Sequence, residues 1–226
     1  MVDVSTAGSE MNAARSRRQT WLVGGSLLFA SALISLALGA AMMPTWTQAG
    51  DALFAAATAV FAIGIGREGS VTARRPLGTV ALIGWGVWVL AGPYLPQLVP
   101  LPDTGMPAVG DLVALQVVSA TVHVVTLALG IIAVSQIGRA RVVPAPWQWA
   151  PLWALLVAIF GRLLVTGMLF APFIDPTLMY GVALADDLLR AGAMGALGVL
   201  AIVLASHTER GATTAVYSSN NGDLSR

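Results

Sequence analysis

Six apolar stretches, each near the length of a bilayer crossing and punctuated by arginines, leave this chain few ways to fold. A hydrocarbon core of about 30 Å takes roughly 20 apolar helical residues. Crossings are predicted at Trp21–Met43, Asp51–Gly66, Leu77–Leu95, Asp111–Ile137, Gln148–Ala171 and Pro176–Ser206. The second is short for a full span, and its start can be moved back towards Thr45. Pro76 suits the first turn of the third, where its missing N–H costs nothing. The supply of charge agrees. Only 10% of the 226 residues are charged and 57% are hydrophobic, whereas a water-facing domain carries about 25% charged residues. The sequence therefore predicts an all-α, polytopic integral membrane protein, a six-helix transmembrane bundle over residues 21–206.

Arginine placement sets the topology. Arg15, Arg17 and Arg18 precede the first crossing, and Arg67, Arg74 and Arg75 separate the second from the third. Arg139 and Arg141 lie between the fourth and fifth, and Arg210 and Arg226 follow the sixth. The other three loops hold none. Positive residues stay on the cytoplasmic side, so both termini are expected inside, in a plasma membrane. Residues 1–20 and 207–226 are polar, rich in small residues and without apolar periodicity, the composition of disordered tails. The loop from Gly92 to Gly110 carries five prolines, which argue against helix. Its leucines suit a segment lying on the outer face, either as a plain connector or folded back as a lid.

Asp51, Asp111 and Asp175 each open a crossing that starts on the outer side, 60 and 64 residues apart. A carboxylate there satisfies free N–H groups and the helix dipole; three duplicated hairpins would give the same spacing.

The sixth crossing contains "LADDLLRAG", with Asp186, Asp187 and Arg190 inside apolar sequence. At 1.5 Å per residue Asp187 falls roughly 18 Å below Asp175, His123 roughly 18 Å below Asp111 and Arg162 roughly 15 Å below Pro172. These groups are expected to share one level near the bilayer midplane. In a tight hairpin turning near Phe173 and Ile174, Arg162 lies level with Ala185 and so beside one of the aspartates. Asp186 and Asp187 also precede Arg190 by four and three residues, spacings that bring side chains together. Unpaired charge at such depth costs roughly 2.5–3.5 kcal/mol per group on the mildest scale. Gln116, Ser119, His123 and Thr126 form one polar stripe of the fourth crossing, expected to face inward. Ala191 with Gly195, and Gly192 with Ala196, form small-residue pairs suited to close packing against the fourth or fifth helix.

Several chemistries are excluded. The chain has no Cys, and all twelve basic residues are Arg, which removes thiolate metal sites and a lysine Schiff base. No metalloprotease, serine-hydrolase or phosphate-loop motif occurs, so no cofactor, metal or nucleic acid is expected. Beyond the lipid bilayer, a second copy or a membrane-protein partner is the expected company. Three functions fit: a small transporter or permease using His123, Arg162, Asp186, Asp187, Arg190, Gln116 and Ser119 as a substrate or proton path; a non-catalytic scaffold or regulatory subunit whose ion pairs are a structural clasp; and, more remotely, an intramembrane enzyme with His123 as base.

Overall fold

The computed structural model describes residues 4–40, 44–66, 69–72, 75–100, 109–140, 147–169 and 176–221. Among them the only regular structure is helical: α1 (Val4–Ala40), α2 (Pro44–Ile63), α3 (Pro76–Ala91), α4 (Val109–Ala140), α5 (Ala150–Leu169) and α6 (Pro176–Asn221). Four stretches are long and apolar enough to cross a membrane, namely Asn12–Ala37, Pro76–Leu98, Val113–Ala140 and Leu184–Ser206. Gln48–Ile63 and Ala150–Val165 are shorter apolar helices.

Side-chain contacts give every neighbouring pair an antiparallel register. Ser31 Oγ of α1 donates to the Gly50 carbonyl of α2 at 2.8 Å, and Trp21 meets Phe61 edge-to-face further along. Gly86 of α3 sits against Ala55 and Thr58 of α2. Trp88 Nε1–H of α3 donates to the Val122 carbonyl of α4 at 3.1 Å, while Gly78 faces Gln136. Gly130 of α4 meets Leu155 of α5, and Gly161 of α5 meets Asp186 of α6. The circuit closes where Gly195 and Gly198 of α6 pack on Ala32, Phe29 and Gly25 of α1. The helices thus form an up-and-down ring in chain order, with α4 against α5 its lightest interface. We call the end carrying the α2–α3 and α4–α5 connections basal, and the other end apical.

Helices in lipid gain little from burying apolar surface and associate by close packing of small residues. The core follows that rule: eight of the thirteen buried hydrophobic residues are alanines. Gly25 and Gly198 bring two backbones together, and a Cβ at Gly198 would stand 2.8 Å from the Gly25 carbonyl oxygen. Large apolar side chains instead point outward, Val80, Phe160 and Leu163 among them, a surface far more apolar than soluble monomers show.

The structure differs from the sequence reading in four places. α6 turns its small-residue face to α1 and not to α4 or α5, because ring closure brings the last helix onto the first. α2 starts at Pro44, so Asp51 lies two turns inside it and is no cap; Asp111 does sit in the first turn of α4, and Asp175 is outside the described residues. Gly92–Leu98 continues α3 as a 3₁₀ helix despite Pro93 and Pro96. Its i→i+3 bonding is used in short pieces of this length, and Pro93 falls at its start, where no N–H is needed. The rest of the proposed lid, residues 101–108, lies outside the described residues. Finally, α1 and α6 extend to Val4 and Asn221 through segments whose composition suggested disorder. No proline interrupts either extension, and adding turns to an existing helix needs no new nucleus.

Candidate functional site

The ring encloses an apolar slot of about 160 Å³ that receives side chains from all of α1 to α6. α6 contributes a continuous helical stripe from Arg190 through Met194 and Leu197 to Leu204, a run of about 21 Å. Phe54, Thr58 and Phe61 of α2 face it, and Trp85 of α3 packs edge-to-face on Phe54 with ring centres 5.2 Å apart. Pro151, Ala154, Leu155 and Ala158 supply the α5 wall. Small side chains on α5 and α6 leave the space; aromatic ones on α1, α2 and α3 bound it.

The basal end is stopped by the α2–α3 connection, which folds into the bundle and inserts Val71. Gly64 and Gly66 make that turn with φ of 75° and 86°, a region only glycine occupies freely. Val71 N–H donates to the Phe61 carbonyl at 3.0 Å, and Ser70 Oγ donates to the Ala62 carbonyl at 2.6 Å. Ser70 meets Thr72 at 3.0 Å, and Thr72 meets Thr79 at 3.0 Å. Each hydroxyl has one proton, so the order is fixed: Thr79 donates to Thr72, Thr72 to Ser70, and Ser70 to Ala62. On the α1 side, buried Thr20 donates to the Ser16 carbonyl and accepts the Ile65 N–H at 2.7 Å. The sequence reading missed this plug. Its signal was the Ser-Val-Thr triplet after Gly69, apolar and hydroxylic where a solvated arginine loop would be neither.

At the apical end the slot reaches Arg190, the one charged residue among its described lining. The charge of Arg190 acts on half-buried Asp51 of α2, a partner that the sequence reading placed at a helix cap. Asp186 is half-buried and fits against Gly161 of α5, where a Cβ would come 2.6 Å from its Oδ1. Gly161 precedes Arg162 and Asp186 follows Ala185, so α5 and α6 pair in the register that counting from their turn gives. The Arg162 side chain itself lies outside those described. Asp187 is exposed.

The polar stripe of α4 does not turn inward. Gln116 and His123 are exposed, and Ser119 and Thr126 are half-buried. His123 Nδ1 lies 2.5 Å from the Ser119 carbonyl, so it carries the proton it donates there. Thr126 Oγ1 likewise donates to the Val122 carbonyl at 2.7 Å. None of these residues lines the slot. Counting from the Gly195–Ala32 contact, Asp187 lies level with the last turn of α1. Counting from Trp88–Val122, His123 lies level with Val87, midway along the apolar stretch Pro76–Leu98.

Among the described residues no group of three His, Asp or Glu side chains is arranged to hold a metal. Compared with family models, curated proteins and solved structures, the chain matches none.

Proposed function

We propose that this chain is a permease-like membrane protein that takes an apolar or amphipathic small molecule into its central slot. In this reading all six helices cross a plasma membrane, with basal connections and both termini in the cytoplasm. The alternating registers and the basal arginines Arg15, Arg17, Arg18, Arg75 and Arg139 support that topology. The observation that carries the function is the slot itself, built by every helix and apolar along its length. Membrane interiors otherwise close such space, since packing is their main source of stability. An apolar lining also disfavours a proton or ion path, which needs hydrogen-bonding groups at each step. The ionisable groups singled out in the sequence then mark the mouth of the slot.

A scaffold or regulatory subunit is the second reading. It is favoured by Asp186 fitted to Gly161 and by the charge of Arg190 acting on Asp51, interactions that link α5 and α2 to α6.

Proteoliposomes carrying a fluorescent NBD-labelled lysophospholipid separate the two. Dithionite bleaches only label it can reach, so movement between leaflets shows as bleaching beyond the protein-free level. The permease reading expects that excess, and expects Ala158→Trp, which fills the α5 wall, to remove it. Bleaching equal to protein-free vesicles, or an Ala158→Trp variant as active as the parent, overturns it in favour of the scaffold.

A further inference from the structure

We propose that the molecule taken into the slot is a single-chain anionic amphiphile of the fatty-acid type, its acidic head at Arg190 and its chain directed towards Val71. The proposal rests on the permease-like reading of the slot and names its ligand class. Three observations select it. First, the lining runs beside a stretch of α6 about 21 Å long, a length that one extended acyl chain matches.

Second, the polarity is confined to one end. Arg190 is the one charged residue in the described lining, and everything from Phe54 and Trp85 to Leu204 is apolar apart from Thr58. A guanidinium holds a carboxylate through paired, charge-assisted hydrogen bonds. Its five N–H donors exceed what Asp51 can use, so an acidic head can be added without displacing that partner. Third, the level is right. Counting from the Gly195–Ala32 contact, Arg190 lies level with Ala37 near the apical end of α1, and it acts on Asp51 two turns inside α2. A head held there lies on the apical side of its chain, the orientation an amphiphile already has in the apical leaflet. A cationic amphiphile would meet Arg190 at the mouth, and a neutral one would gain nothing from it.

The test uses the full chain in phosphatidylcholine nanodiscs. Palmitic acid bearing a mid-chain diazirine and the matching hexadecanol are photolysed separately, and the adducts are mapped residue by residue. The acid should label Met194, Leu197 and Leu155 about tenfold more than the alcohol, the factor expected for one charge-assisted hydrogen-bonded pair. Arg190→Gln should erase that preference, and Arg190→Lys should keep most of it. Should Arg190→Gln not fold, competition on the unaltered protein decides instead: unlabelled palmitic acid must displace the photoprobe about tenfold better than hexadecanol. Equal labelling of those residues by acid and alcohol overturns the headgroup assignment and leaves the slot reading intact. Adducts confined to outward-facing Val199 and Val203 overturn both.

Discussion

The two arcs of the ring are built differently. Along α1, α2, α3 and the basal plug, Thr20, Ser31, Ala57 and Thr72 are sealed, and the plug's amides and hydroxyls find partners inside the protein. Along α5, the one buried position among the described residues is Gly161, and the apical half of α4 buries none. The buried residues of α4, Gly130, Ala133, Val134 and Gln136, all lie in its basal half. One arc is a fixed wall; the other rests on it along a light seam. A slot bounded in this way can admit a guest by displacing α5 while the arc behind it keeps its shape.

The contrast can be broken by substitution. The largest effect is expected on the fixed arc at Gly198, where a leucine meets the backbone of α1. Overpacking of this kind costs about 1–3 kcal/mol and occasionally more, here at the contact that closes the ring. Gly192→Leu, on the same helix but facing open space, should leave the unfolding midpoint in denaturing detergent unchanged. Next is Thr20→Val, which removes the acceptor of the Ile65 N–H and should cost about 1–3 kcal/mol in the same assay. On the compliant arc, Leu155→Ala loosens the seam at Gly130 and should cost about 0.5–1 kcal/mol, the mild end of single substitutions. Tying the seam should act on function more than on stability: with cysteines at Gly130 and Leu155 in this Cys-free chain, a short bifunctional thiol reagent should slow lysophospholipid movement several-fold while the unfolding midpoint holds or rises. Smallest is Leu163→Ala, an outward residue that is 64% exposed, expected within about 0.5 kcal/mol of the parent. If Leu155→Ala proved as costly as Thr20→Val, the two arcs would be equally well packed and the seam would be no gate.

Hydropathy and proline placement made the helices legible. Pro76 and Pro176 mark their first residues, and the α5–α6 register follows from the short turn between them. What could not be read was whatever depends on non-neighbours. Asp51 looked like a cap because Pro44 and the residues after it are less apolar than those after Asp51; only the closed ring brings Asp51 to Arg190. His123 looked inward because a polar stripe at midplane depth must be; on α4 it is exposed and stays off the slot. The plug was hidden by its arginines, which promised a solvated loop. The slot had no local signature, since alanines at 154 and 158 read equally well as packing.

Closure of the ring through Gly25 and Gly198 also sets an order of assembly. Chains are made from the N-terminus, and earlier parts fold first. α1 is therefore made with its glycine face bare and waits until α6, made after the other five, arrives to cover it. The hairpin of α2 and α3 can mature meanwhile, latched by its own hydroxyls. The chamber does not exist until α6 docks, so no guest can be enclosed before then, and a product truncated before Gly195 leaves the cell a fragment with an uncovered adhesive stripe.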